Sequence, residues 1–432
     1  MRDGDTIVAL SSGSVPAGVA VIRLSGPATR DLLLSLAGDL PPPRRLSMRT
    51  LRDGEEVLDR GLVAWFPGPR SFTGEDSAEL QLHGSPAVVR AILRALTSRA
   101  RVRLAEAGEF TRRAFENGRL DLTAVEGLGD LIAAETENQR RQALARAAGG
   151  LSDRVAHWRS DLVHLRAEIE ARLDFSDEGD VGLDLPPRVA VSLEALRAEL
   201  AEALSNFGRG RIVRDGLRVA LAGPPNVGKS SLLNALARSE LAIVSDEPGT
   251  TRDVREVAMD LGGQLVLLVD MAGLRQAESK AEAEGVRRAE REVAQADLVL
   301  WLTAPDVPAQ EPPASPGEIW RIASKSDLAR GEEALAISSR TGAGIGELLE
   351  RLTAFAQTRG GGGEAPLLSR ERDREAIAAA LEALDGAAEA LGQAEVAAEL
   401  LRQASHSLAR LIGAVDAEAV LDRLFLSFCI GK

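Results

Sequence analysis

Short apolar runs open the chain, at Thr6–Leu10, Gly18–Leu24, Gly61–Phe66 and Ala78–Leu82, with a helical period near 86–100. Alternation of this kind over residues 1–120 predicts a compact α+β unit. From 121 to 212 the rhythm lengthens into alanine- and leucine-rich helical periods, broken by turn signals around Asp180–Pro187. Between 213 and 360 strand-like LRVALAG, VREVAMDL, QLVLLVD, ADLVLWL, EIWRIAS and ALAIS alternate with helical segments. That order predicts a mostly parallel sheet covered on both faces. Gly360–Gly363 reads as a flexible hinge, and 361–432 returns to helical periodicity. Helices on both sides of the α/β unit are explained economically by one discontinuous helical domain, 121–212 with 361–432, carrying 213–360 as an insertion. Two separate helical domains are the alternative.

Composition narrows the setting. A chain of 432 residues exceeds one ordinary core, and its 45% hydrophobic content supports several. No apolar run approaches a membrane span, the start MRDGDTIVAL lacks a secretory or transit pattern, and there is one cysteine. The expectation is a cytoplasmic protein with no membrane segment. A net charge of −13 argues against strong, unspecific nucleic-acid binding. Arginines crowd residues 99–119, and the plainer reading of that stretch is a solvated helical surface. Of 52 basic residues only Lys229, Lys280, Lys325 and Lys432 are lysines. A lysine kept in so arginine-biased a chain points to chemistry that needs a compact ammonium.

Three of the four fall in chemical motifs. GPPNVGKS (223–230) fits G-x-x-x-x-G-K-S, directly after a predicted strand and before a helical run. Such a loop offers backbone N–H groups to phosphates at a helix N-terminus. Asn226, Val227, Gly228, Lys229, Ser230 and Ser231 are its nucleotide-facing residues, with Lys229 reaching the β/γ-phosphates and Ser230 on Mg²⁺. DMAG (270–273) closes a strand as a D-x-x-G element: Asp270 would hold Mg²⁺ through water, Gly273 would meet the γ-phosphate, and Met271 and Ala272 lie between. SDEPGTTRD supplies a switch loop containing Ser245, Asp246, Glu247, Pro248, Gly249, Thr250 and Thr251, of which Thr251 is the expected metal ligand. SKSD (Ser324, Lys325, Asp327) stands where N-K-x-D reads guanine, its aspartate pairing with N1–H and the 2-amino group. Serine in place of asparagine predicts weaker nucleotide affinity, since a hydrogen bond contributes about 0.5–1.5 kcal/mol net. Ser338, Ser339 and Arg340 fit a last base-contacting loop. Leu274 occupies the place of a water-orienting glutamine, and no arginine finger can be named, so hydrolysis calls for another cation and another polar residue.

These segments, together with DTIVAL, FTGEDSAELQLHG (72–84), GEFTRRAFENGRLDL (108–122) and the terminal CIGK (429–432), resemble the MnmE (TrmE) family of tRNA-modification GTPases, within the TrmE-Era-EngA-like GTPases, over nearly the whole length. The resemblance implies an N-terminal tetrahydrofolate-binding and dimerisation domain (1–120), a discontinuous helical domain (121–212 and 361–432) and an inserted Ras-like GTPase domain (213–360). It implies a homodimer that works with the flavoprotein MnmG, in a heterotetramer, to add a carboxymethylaminomethyl-type group to C5 of the wobble uridine, U34, of certain tRNAs. A 5-formyl- or 5,10-methylene-tetrahydrofolate would supply the one-carbon unit. By the same resemblance K⁺ replaces an arginine finger when two GTPase domains meet, with Asn226, Ser245, Glu247 and Thr250 as its ligands. The catalytic glutamate falls on Glu282, with Glu284 as the alternative. Folate contacts fall on Arg23, Glu79, Arg119 and Lys432. Cys429 is either a functional thiol or a small buried residue, and His83 either lines the folate domain or satisfies a turn. Competing readings are a ribosome-assembly or regulatory GTPase without modification activity, and a folate-binding protein whose GTPase is degenerate at Ser324.

Overall fold

The computed structural model describes residues 4–174, 186–243, 256–271, 295–312, 314–315, 317–329, 335–361, 364–415, 418–426, 428 and 430–431. They form two compact units, Met1–Gly129 with Leu408–Lys432, and Asp130–Ser407.

The first unit is built on a six-stranded sheet in the order β3-β4-β5-β2-β1-β6. Its strands are β1 (Thr6–Leu10), β2 (Ala17–Ser25), β3 (Ser47–Asp53), β4 (Glu56–Phe66), β5 (Ser77–Gly84) and β6 (Val102–Leu104). Neighbours run antiparallel except β1 and β6, which are parallel. The two-residue period of β1 divides its side chains between two apolar layers. Val8 joins Ile22, Leu24, Leu80, Leu33 and Ile92, which belong to strands and to helices Thr29–Ala37 and Pro86–Thr97. Ile7 and Ala9 join Ala105 and Phe110 in a separate cluster. A third cluster sets Leu122 and Val125 against Leu421, Phe425 and Phe428 from the chain's far end. Gly108 permits this approach, since a Cβ there would lie 2.7 Å from the Phe425 ring. The tail then bridges Ile430 to Ala107, and the Gly431 carbonyl accepts from Ser11 Oγ at 2.8 Å. Gly431 therefore lies at the end of β1 of its own chain.

In the second unit β7 (Leu217–Ala222), β8 (Glu256–Leu261), β9 (Gln264–Asp270), β10 (Leu298–Thr303) and β11 (Glu318–Ala323) form a sheet in the order β11-β10-β7-β9-β8. All neighbours are parallel except the β8–β9 hairpin. One apolar layer combines Val219, Leu221, Leu300 and Leu268 with Leu232, Leu236, Leu348 and Leu352 of helices Lys229–Ala237 and Ile345–Gly360. On the other side Ala220, Ala222, Val299 and Trp301 pack with Met271. The ALAIS strand is reduced to a single parallel bridge, Ala323 to Ala336, because the chain turns at Ser338 into a loop. Gly360 closes a helix instead of opening a hinge.

Helices Gly150–Asp174, Pro187–Ser205 and Glu371–Glu389 pack around Leu193, Leu196, Leu200, Ile377 and Leu384. Helix Glu137–Ala147 joins this group to the sheet through a polar face. Gln139 Nε2 donates to Arg214 O at 2.9 Å, and Gln142 Nε2 donates to both Gly210 O (3.1 Å) and Pro366 O (2.7 Å). Arg146, without solvent exposure, pairs with Asp373 at 2.8 Å and donates to Leu367 O.

Most of the arginine-rich stretch is the solvated surface its charge predicted, with Arg99, Arg101, Glu106, Glu116 and Arg119 exposed, but two of its charged residues turn inward. Glu109 and Arg113 are buried, and Arg103 and Arg113 both donate to Glu109, at 2.6 and 3.1 Å. Arg113 also reaches Glu75, which accepts from Ser25 Oγ at 2.7 Å. Arg113 is buried because two carboxylates, Glu109 and Glu75, from separate parts of the chain meet it there.

Candidate nucleotide and folate sites

The phosphate loop leaves β7 at Gly223, whose φ of 139° and close approach to Leu302 O, 2.5 Å from a would-be Cβ, leave no room for a side chain. Asn226 takes a left-handed φ of 63° on the exposed lip. Gly228, at φ 101°, then starts helix Lys229–Ala237. The loop's concave side thus faces a helix N-terminus, which suits an anion. Lys229 is buried, and its ammonium donates to Gly223 O and Pro224 O, both at 2.8 Å. Ser230 Oγ donates to Asp270 Oδ2 at 2.6 Å, so the two predicted Mg²⁺ residues meet although 40 positions separate them. Two hard oxygen donors side by side fit that ion. Ser231 is exposed one residue on, and Met271 lies in the apolar layer against Trp301 and Val299, which accounts for a long apolar side chain there.

Ser324 is buried after β11, its hydroxyl against Val227 O and, at 2.8 Å, Thr303 O. Lys325 adopts φ 54° and places its ammonium 2.6 Å from Asp306 Oδ2. That hydrogen bond, with the lysine's charge, holds the Asp306 carboxyl below its usual range. Asp327 accepts from the buried Ser338 Oγ at 2.7 Å and has Arg340 Nη1 3.8 Å away. The Ser338 bond first, then the neighbouring cations, keep it ionised to lower pH. Ser339 follows in the same turn. Asp306 was missed by motif reasoning, because nothing in its local sequence marks it as the partner of Lys325.

In the first unit Arg23 and Glu79 are cross-strand neighbours on β2 and β5, joined at 2.9 Å and half-buried. Phe72 and Phe110 flank the guanidinium, their ring centroids 5.8 and 5.7 Å from it. Neither phenylalanine was singled out from sequence, although both lie in the segments that carry the resemblance. Arg119 is exposed, its stem beside Gly74, and Asn117 Nδ2 ties this turn to Thr73 O at 2.7 Å. His83 points to solvent and pairs with Asp59 at 2.8 Å, a local role at the end of β5. Ser245, Asp246, Glu247, Pro248, Gly249, Thr250, Thr251, Ala272, Gly273, Leu274, Glu282, Glu284, Cys429 and Lys432 lie outside the described residues.

Two family models match the chain: "GTP-binding protein TrmE N-terminus" over residues 6–119 and "MnmE helical domain" over 122–429. A tRNA modification GTPase MnmE of Azorhizobium caulinodans is 52% identical over 437 residues, covering 100% of both chains. The chain belongs to the MnmE family of tRNA modification GTPases. A second member, from Rhodopseudomonas palustris, is 49% identical over 437 residues and covers 99% of each chain. Among solved structures, the G domain of the T. maritima FeoB iron transporter is 26% identical, covering 33% of this chain and 99% of that one at a TM-score of 0.24, too loose a superposition to add to the assignment. As an MnmE-family member the protein is a GTP hydrolase acting in tRNA modification, which sets aside a GTPase without modification activity. It combines the family's N-terminal domain and helical domain with the α/β sheet that carries the phosphate loop. No helix among the described residues is long and apolar enough to cross a membrane.

Proposed function

We propose that this protein is a K⁺-stimulated cytoplasmic GTPase, activated when the GTPase domains of a homodimer meet. With an MnmG-type flavoprotein it adds a carboxymethylaminomethyl-type group to U34 of certain tRNAs, taking a one-carbon unit from tetrahydrofolate. The Ser230–Asp270 contact at the foot of the phosphate loop carries the nucleotide half of this reading. Mg²⁺ held by Ser230 and Thr251, and K⁺ held by Asn226, Ser245, Glu247 and Thr250, would neutralise charge that develops on the transferring phosphoryl group. The loop's N–H groups and Lys229 bind and orient the phosphates, Asp327 selects guanine, and Glu282 positions water.

For the folate half, the support is the Arg23–Glu79 pair between two aromatic rings. A pterin amide edge suits a carboxylate such as Glu79, and a glutamate tail suits cations such as Arg119 and Lys432. The contacts of Ile430 with Ala107 and of Gly431 with Ser11, all in the first unit, support a folate role for Lys432.

The test is GTP hydrolysis in KCl and in NaCl, for the parent and for Glu282→Ala, beside calorimetric binding of 5-formyl-tetrahydrofolate to the parent and Arg23→Ala. Stimulation by K⁺, loss of hydrolysis in Glu282→Ala and loss of folate binding in Arg23→Ala are expected. Equal rates in the two salts would sink the cation assignment, and full activity of Glu282→Ala would move that role to Glu284 or beyond.

A further inference from the structure

Ser324 departs from the asparagine of the guanine-reading motif, and the structure gives its hydroxyl another task. The side chain is 3% exposed, at the point where β11 passes the phosphate loop. Its Oγ touches two backbone carbonyls, Val227 O and Thr303 O. A serine hydroxyl has one proton to donate. Thr303 O is already hydrogen-bonded by the Ser324 N–H at 2.8 Å, so the hydroxyl proton can serve Val227 O without leaving Thr303 O unsatisfied.

Val227 O belongs to the peptide that joins Val227 to Gly228. That peptide is trans, since among the described residues the cis bonds are Val15–Pro16 and Gly68–Pro69. In a planar trans peptide the C=O and the N–H point in opposite directions. Fixing the Val227 carbonyl toward Ser324 therefore turns the Gly228 N–H away from it, to the concave side of the loop. Gly228 follows the left-handed Asn226 and has φ 101° itself, a stretch of backbone with no side-chain cap of its own. Close fit supports the contact: a Cβ on Gly228 would stand 3.7 Å from Ser324 Oγ.

We propose that Ser324 is a positioning residue for GTP hydrolysis. It straps the Val227–Gly228 peptide so that the Gly228 N–H is aimed at a nucleotide phosphate, and it does not read the base. Guanine selection is then left to Asp327, which Ser338 holds in place. This inference rests on the guanine-nucleotide reading given above.

Three variants separate the strap from a base contact. Affinities for GDP and for IDP, which lacks the 2-amino group, are measured calorimetrically with Mg²⁺ for Ser324→Ala, Ser324→Thr and Asp327→Asn, and the KM for GTP is followed in parallel. Loss of the strap in Ser324→Ala should weaken GDP and IDP alike, by about five- to tenfold, and leave their ratio unchanged. Ser324→Thr, which keeps the hydroxyl, should restore most of that affinity. A changed GDP:IDP ratio in Ser324→Ala would overturn the proposal in favour of a base contact. Unchanged affinity for both nucleotides, with or without a lower melting temperature, would overturn it too. Asp327→Asn should lower the GDP:IDP ratio, and if it does not, the guanine-site reading itself fails.

Discussion

Replacing Asp373 by alanine removes the partner of a guanidinium that has no access to solvent. Arg146 and Asp373 are both 0% exposed and 2.8 Å apart. At that separation and an effective dielectric near 20, the gross attraction is about 6 kcal/mol, much of it offset by the desolvation of both charges. The asymmetry of breaking such a pair decides the outcome: Arg146 stays behind, buried and without that carboxylate, at a cost of about 3–5 kcal/mol. Asp373 also accepts the Arg370 N–H, at 3.3 Å, where helix Glu371–Glu389 begins, and that contact is lost as well. For a unit of this size the loss lowers the melting temperature by roughly 6–20 °C. Thermal unfolding followed by circular dichroism, at low and high salt, measures it. GTP hydrolysis below the transition should persist, because Asp373 touches none of the phosphate-loop residues. Pairing Asp373→Leu with Arg146→Met should recover most of the stability, since an apolar pair leaves no charge stranded. A drop of under about 1 kcal/mol, or one that high salt abolishes as for an exposed pair, would refute the reasoning.

Two further outcomes follow from close packing and from charge. Gly210→Ala would place a Cβ 1.9 Å from the Leu368 carbonyl, so overpacking should destabilise the second unit by about 1–3 kcal/mol in urea titrations, and an unchanged midpoint would contradict the fit. In the first unit, burial alone would raise the Glu109 carboxyl, but hydrogen bonds from Arg103 and the Glu106 N–H, with the charges of Arg103 and Arg113, outweigh it and hold the group below 4.5. A carboxyl depressed in the folded state stabilises above its unfolded value and loses that contribution as pH falls through its folded one. Glu109→Gln should therefore be less stable than the parent at neutral pH and flatter in its acid limb below pH 4.5, and parallel stability curves would count against the assignment.

Strand periodicity made most of the sheets legible: β1, β2, β5 and β9 lie where apolar runs had marked them. Spacing alone also brought out the phosphate loop and Asp270. What could not be read was pairing over long distances. Glu75, Glu109 and Arg113 look like surface charges one by one, and only the fold brings them together. Ser324 reads in sequence as a weakened base contact, whereas its geometry points to the neighbouring loop. Met271 reads in sequence only as a residue between Asp270 and Gly273, and its packing with Trp301 is seen only in the fold. The return of the tail to β1 is invisible for the same reason, since a bridge from Ile430 to Ala107 depends on contacts that no local pattern encodes.

Gln142 holds, with one amide, the carbonyl of Gly210 ahead of β7 and that of Pro366 after helix Ile345–Gly360. Departure and return share a doorway. The chain between these two carbonyls is a long excursion whose ends already touch, and loop-closure cost grows only slowly with length. Such a join lets a self-contained module be gained, exchanged or enlarged without redrawing its host.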